Sequence, residues 1–369
     1  MTDTYTDLAN RREVYISRFA SYLRNEYSTP NLEDAYKQAR LILLEAEAIL
    51  SRKQLNLLTA AVSTAIAEST NASWTRVTNE LDELAALESS YYAKMFGDVN
   101  SVVLAVPLAA DVIDSVTKSK LSLDSGQKGV WAKFTKENTD SVTKMFVEQI
   151  KTGYGESESI GQINKRLKAV SSGVLKNQAE ALIRTGVSHY AQESRKAMAN
   201  ANKDIIDREI PSVTFDNRIS DTCMSLSARY PDGWILNKSP VGYPPYHFRC
   251  RTFITFLIKG QKNLTGTKAA LEGRKGRKAE GLFEGKKERL RTRSQVRYEG
   301  RKDSDIFKAG QIKADKPFSR FLRTQPDWYI KDTLGEKRGQ AFIDGKLDLS
   351  NLTDESLSPL TLAEIGIKQ

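Results

Sequence analysis

Cysteine and histidine are nearly absent from this chain, with two of each among 369 residues. Two cysteines cannot supply the disulfide framework of a small secreted domain. Long apolar runs are missing as well. The longest candidate, Val102 to Ala110, is interrupted by Pro107 and stopped by Asp111, far short of the roughly 20 residues that span a bilayer. Met1-Thr2-Asp3-Thr4-Tyr5-Thr6-Asp7 has neither the basic nor the apolar region of a secretory signal. The expected location is therefore a cytoplasm or a particle assembled there, a reducing setting that disfavours a disulfide. There is no phosphate-cradling glycine loop, no G-x-S-x-G and no H-E-x-x-H, so the sequence offers no familiar catalytic signature.

What is present is the composition of a soluble globular protein, 40% hydrophobic and 28% charged, with length for a full core and two or three domains. Positive charge is concentrated. Between Lys259 and Lys313 there are 17 Lys and Arg against 7 Asp and Glu, a surplus equal to the net +10 of the whole chain. The same stretch is glycine-rich and poor in apolar anchors, so it is expected to be mobile or ordered only on a partner. Basic character confined to one segment points to a polyanion. The candidate phosphate contacts are Arg274, Lys275, Arg277, Lys278, Lys286, Lys287, Arg289, Arg291, Arg293, Arg297, Arg301 and Lys302. Double-stranded DNA, bound without sequence preference, is the expected partner, and a solvated linker is the alternative.

Around that segment the pattern is helical. Thr29-Pro30 reads as a helix start and Ser51-Arg52-Lys53-Gln54 as a capping box. Trp74, Val77, Leu81, Leu84, Tyr91 and Met95 share one helical face. These features predict an antiparallel helical bundle over residues 1–121, ended by a loop near Gly97 to Asn100 and a Ser/Gly-rich stretch from Ser122 to Gln127. A central domain over 122–258 should be helical from Val130 to about Asn202, with breaks at Gly153, Gly155 and Gly173. Two β-like runs, Ile210 to Phe215 and Thr252 to Ile258, should pair. The basic segment follows at 259–313 and a short helical tail at 314–369. In the tail, Gly335 and Gly345 are placed to end helices, and Thr361 to Glu364 to cap a last one. Phe321, Trp328, Leu334 and Phe342 need a covering surface, expected to be the central domain. The expected fold class is mostly α with a small β element (α+β).

Both cysteines and one histidine fall within 36 residues, from Asp216 to Arg251. Three readings of this stretch compete. Cys223, His247 and Cys250, with Asp216 or Asp221 as a fourth ligand, form a possible zinc site, but Leu226 stands where a C-x-x-C knuckle would place its second cysteine. Cys223 and Cys250 could instead form a disulfide. The leading reading is a structural cluster of two buried thiols with His247 hydrogen-bonded nearby, with no metal or cofactor expected. Asp221 reads most simply as a turn residue, and His189 as a packed or surface histidine of a helix. A single Cys/His pair without an oxyanion device is a weak sign of catalysis. Neither an enzyme nor a small-molecule substrate is expected, and a metal-assisted hydrolase built on the cluster is the enzymatic alternative.

The same residues carry a resemblance. Asp216-Asn217-Arg218-Ile219-Ser220-Asp221-Thr222-Cys223, followed by Pro244-Pro245-Tyr246-His247-Phe248-Arg249-Cys250-Arg251, resembles the signature of the Mu F-like phage head morphogenesis family. Ala181-Leu182-Ile183-Arg184-Thr185-Gly186 resembles that family's "A-R-T-E" helix, with Gly186 in place of glutamate. Ile150 to Gly155 with Ile160 to Ile163, then Gln325-Pro326-Asp327-Trp328, Leu334 to Arg338 and Leu360 to Ile365, are similar to its other segments in the same order. The resemblance implies a non-enzymatic minor head protein of a tailed bacteriophage that acts in head morphogenesis inside the capsid near the portal vertex. Its implied partners are portal and capsid proteins and packaged DNA, with no membrane involved. A DNA-binding protein whose capsid association is secondary is the alternative.

Overall fold

Apolar periodicity and helix capping organise most of the chain. The computed structural model describes residues 4–47, 50–275 and 305–367. About 61% of it is helical and 11% strand, which makes the fold mostly α with a small β element. Helix α1 (Tyr5–Leu23) opens on a capping box between Thr4 and Asp7. A π turn, Arg24–Ser28, passes it directly into α2 (Thr29–Leu44). Pro30 therefore lies just inside a helix already running, not at a fresh start. The wider turn absorbs its missing amide and its ring.

Helix α3 (Arg52–Asn100) starts on the capping box of Ser51 and Gln54. Trp74, Val77, Leu81, Leu84 and Met95 are buried along one face, whereas Tyr91 is exposed. The expected loop at 97–100 is helix instead. Phe96 and Gly97 are buried, Asn100 Nδ2 donates to the Phe96 carbonyl at 2.9 Å, and the helix ends only at left-handed Ser101. An extended apolar stretch then leads to α4 (Ala109–Lys118). Asn202 holds that stretch at both backbone groups of Ala105, accepting from its N–H at 2.7 Å and donating to its carbonyl at 2.8 Å.

A two-stranded ribbon, β1 (Leu121–Ser122) with β2 (Lys128–Gly129), precedes α5 (Trp131–Gly155) and α6 (Ile160–Val170). Gly173 lies in a second π turn, Ser171–Leu175, that continues into α7 (Lys176–Ala201). The chain bulges where a break was expected. Strand β3 (Ile206–Ser212) runs antiparallel between β4 (Trp234–Ile235) and β5 (Phe253–Ile258). The expected pairing of the two apolar runs is found only from Ile210 to Ser212, opposite Thr255 to Phe253; the strand begins earlier, at Ile206, and Val213 to Phe215 lie beyond its end. Helix α8 (Asp221–Arg229) lies between β3 and β4.

Strands β6 (Thr267–Lys275) and β7 (Asp305–Lys313) pair over their full length, with Thr267 opposite Lys313 and Lys275 opposite Asp305. The expectation of order only on a partner thus does not hold at the two ends of the basic segment. The Leu271 amide donates to the Phe215 carbonyl at 2.7 Å, and Thr267 donates to Asp7 on α1 at 3.0 Å. Lys268 and Ala270 are buried. The tail adds α9 (Phe318–Leu322), α10 (Asp327–Leu334) and α11 (Glu336–Ile343). Thr361 and Glu364 make the capping contacts, but residues 362–366 form turns and not a helix.

Three apolar clusters fill the interior. The first joins Tyr5, Tyr92 and Phe96 to the three-stranded sheet, α8 and the tail. The second centres on Trp131, which meets Trp74 and Tyr190 edge-on with ring centres 5.9 and 6.2 Å away. Leu121 and Leu123 belong to this cluster, so helices on both sides of residue 121 share one core. The third joins α2 and the start of α3 to α5, α6 and the start of α7. Gly186 faces Trp131: a Cβ there would stand 2.5 to 3.0 Å from the indole ring. A side chain as large as glutamate has no room at that position.

The charged centre of the bundle is buried too. Arg195 on α7 is 1% exposed and lies 2.6 Å from Glu88 on α3, itself fully buried. It also pairs with Glu13 on α1, while Arg12 reaches Glu88 at 2.7 Å and Tyr92 faces the Arg195 guanidinium at 4.4 Å. Two carboxylates thus balance two guanidinium groups. Removing one partner strands a buried charge. Glu88→Ala should lower unfolding free energy by about 3–5 kcal/mol, read as a shift of the urea midpoint, and an unchanged midpoint would show that this network does not hold the helices together.

Candidate functional site

The two halves of the Cys/His stretch meet where α8 begins. Ser220 caps α8 by accepting from the Cys223 amide at 3.1 Å, and this fixes Cys223 in the first turn. His247 and Cys250 come from a tight turn closed by the Cys250 amide on the His247 carbonyl at 3.1 Å. Arg249 within it takes a left-handed conformation, φ 61°, and its amide donates to Thr185 Oγ1 of α7 at 3.1 Å.

The three side chains converge. Cys223 Sγ lies 3.2 Å from His247 Nε2 and 3.8 Å from Cys250 Sγ. All three ligand atoms lie within 4.8 Å of one another. Both cysteines are free and buried, so the disulfide is not formed. Thr252 donates to Cys223 Sγ at 3.0 Å, and Ser220 Oγ stands 2.9 Å from His247 Nε2. His247 Nδ1 lies 2.9 Å from the Phe248 carbonyl. A carbonyl can only accept, so Nδ1 carries a proton.

Burial opposes charge at this site, and the neighbours decide the outcome. Burial alone would lower His247, but the charge and hydrogen bond of Cys250 and the Phe248 carbonyl lift it to about 9. Burial would raise Cys250, yet the Cys223 hydrogen bond and the His247 charge hold it well below the ordinary thiol range. Cys223 is pushed up by its hydrogen bond with Cys250 and by burial. The neighbours thus favour negative charge on Cys250 beside positive charge on His247, and disfavour charge on Cys223. Such a cluster can bind a soft or borderline cation, or oxidise to a disulfide. A nucleophilic role would need access, and both sulfurs are covered.

The proposed fourth ligands are engaged elsewhere. Asp216 is held by both terminal nitrogens of Arg251, at 2.5 and 2.9 Å. Asp221 pairs with Arg338 of α11 at 2.5 Å. A carboxylate next to a guanidinium keeps its charge pairing in preference to an open position. Asp221 therefore ties the tail to α8, which goes beyond the turn role expected of it. Leu226 is fully buried in the core, so the knuckle position serves packing.

Other residues complete the frame; sequence reading placed Asn217, Arg338 and Leu360 in the resembling segments without a role for them, and did not single out Arg229. Arg338 also donates to the Leu360 carbonyl at 2.5 Å, and Asn217 donates to Asp332 of α10 at 2.6 Å. Arg229 reaches the Ser350, Thr353 and Asp354 carbonyls. Their signal was faint because arginines are plentiful and all these partners but Leu360 lie more than 100 positions away. His189 on α7 takes no part in the cluster. It is 2% exposed, with Nε2 2.8 Å from Ser119 Oγ. Of the phosphate candidates, Arg274 lies on β6 and pairs with Glu272 at 3.0 Å, and Lys275 ends that strand. Arg277, Lys278, Lys286, Lys287, Arg289, Arg291, Arg293, Arg297, Arg301 and Lys302 lie outside the described residues.

No family model, curated protein or solved structure matches the chain. No helix among the described residues is long and apolar enough to cross a membrane.

Two measurements follow from this part of the molecule. Burial, with a smaller push from Lys196, lowers His189 to about 4, against about 6.5 when unfolded. The fold therefore favours neutral imidazole. Its stabilisation is complete above pH 6.5 and is lost as the pH falls towards 4, by at most about 3 kcal/mol. His189→Gln should flatten unfolding free energy against pH across that window; an identical slope would exclude His189 as its source. Trp328 is 7% exposed and packs edge-on against Phe307, ring centres 5.2 Å apart, within the cluster that holds the sheet and α8. Trp328→Ala should cost about 3–5 kcal/mol of stability in the isolated chain, seen in its melting curve; wild-type melting would mean that the tail contributes little to that core.

Proposed function

We propose that the chain is a structural minor head protein of a tailed bacteriophage, acting in head morphogenesis inside the capsid near the portal vertex and contacting packaged DNA. The observation that carries this reading is that the segments resembling the Mu F-like signature bond to one another. Thr185 of the "A-R-T-E" helix meets Arg249. Arg251 pairs with Asp216, and Arg338 joins Asp221 to Leu360. Residues that are far apart in the chain and stand in the family's order thus build one continuous frame. A chance match of short motifs gives no reason for them to touch.

Two surfaces suit an assembly role. The extended stretch before α4 leaves Val103 93% and Leu108 72% exposed. Leu41, Leu44 and Leu57, where α2 gives way to α3, are each more than half exposed. Exposed aliphatic groups of this kind suit protein partners such as portal or capsid subunits. The basic residues between β6 and β7 suit the DNA backbone, where contact depends on charge and not on base sequence.

Particles arrested before DNA packaging separate the assembly reading from a DNA-binding one. The protein should co-purify with portal protein from such heads, and its loss from them would favour DNA as the primary partner. Replacing residues 276–304 with a short Gly/Ser linker keeps both strands. It should weaken binding to duplex DNA of any sequence and flatten the salt dependence, with melting unchanged. Unaltered affinity would reduce the segment to a connector.

A further inference from the structure

We propose that Cys223, His247 and Cys250 bind a zinc ion that pins the start of α8 to the His247–Cys250 turn. Counting ligands along the sequence argued against a metal, because no fourth ligand stands at the expected spacing; the spatial arrangement argues for one. Two sulfurs each about 2.3 Å from a tetrahedral zinc stand about 3.8 Å apart, and Cys223 Sγ and Cys250 Sγ are 3.8 Å apart. Unbonded and unoxidised, they already hold the separation of a shared ion.

The histidine is set for the same task. Its Nδ1 proton is committed to the Phe248 carbonyl, and this outer hydrogen bond is the one that fixes the tautomer of metal-ligating histidines. Once a metal ion displaces its proton, Nε2 offers its pair on the side of Cys223 Sγ, 3.2 Å away. The sulfurs are supported as thiolates would be, since the Thr252 hydroxyl donates to Cys223 Sγ. Both cysteines are about 95% buried, with exposures of 4% and 5%. The fourth position would be left to solvent, and the Ser220 hydroxyl, 2.9 Å from His247 Nε2, is close enough to orient it. Asp216 and Asp221 stay with their arginines. Zinc fits better than magnesium or calcium, which take oxygen ligands. Binding displaces the Cys223 thiol proton and the Nε2 proton of His247 into solvent, so affinity rises with pH.

The full chain, purified without a histidine tag under reducing conditions and passed through metal-free buffer, should carry close to one zinc per chain by elemental analysis. After chelator treatment, Co²⁺ should restore stoichiometric binding, with thiolate-to-cobalt charge-transfer absorption and the intensified d–d bands of a tetrahedral ion. Cys250→Ser and His247→Ala should each weaken Co²⁺ binding at least a hundred-fold. The wild-type cobalt spectrum needs no variant, so the test stands even if those substitutions fail to fold. Reduced protein with neither zinc nor a tetrahedral cobalt spectrum overturns the proposal, as does a Cys223–Cys250 disulfide in chain whose thiols are trapped at cell lysis. Neither outcome bears on the head-protein reading, which portal co-purification tests separately.

Discussion

Arg195 is the constraint around which the helices are arranged. Its guanidinium lies 1% exposed among α1, α3 and α7, and a lone cation there would be untenable. Glu88 and Glu13 must come to it, and Arg12 must follow to balance Glu88. Apolar packing alone tolerates sliding of one helix along another. A buried ion network fixes one register, because each charge has a single place where it is neutralised. With α1 fixed, Tyr5 reaches the sheet, where its hydroxyl accepts from the Phe256 amide at 3.1 Å. The charged centre thereby sets where the small sheet sits against the helices.

Local features of the fold were legible in the sequence, and those that depend on distant partners were not. Capping boxes at Ser51 and Thr361 were readable because each is complete within four residues. The pairing of the two β-like runs was readable because both are apolar and β-branched. Pro30, Gly97 and Gly173 misled, since each is a breaker by local rule, while packing on both sides carries the helix past it. The order of β6 and β7 was hidden by composition: their anchors are the Phe215 carbonyl, Asp7 and the ring of Trp328, none of which a window around Thr267 contains.

The candidate site divides in the same way. Scarcity of cysteine and histidine marked Cys223, His247 and Cys250, and the fold brings them together. The roles of Asp216 and Asp221 were not readable, because a carboxylate near two thiols resembles a ligand until its arginine is known. Gly186 shows the converse. It stands where the Mu F-like pattern it resembles has glutamate, and the Trp131 ring occupies the space a side chain would need. The glycine at one position and an aromatic 55 residues earlier fit one another in space.

The stretch held by Asn202 has a thermodynamic consequence. Fixing a flexible backbone on binding consumes about 1–2 kcal/mol per residue, and short apolar segments that fold on their partners lose much of their affinity to that term. Here one buried amide grips Ala105 from both sides and holds Val103 and Leu108 in place while they face solvent. Part of the entropy has been surrendered during folding. Any partner that met this edge would encounter a shape and not an ensemble, and the gain would come without added contact area.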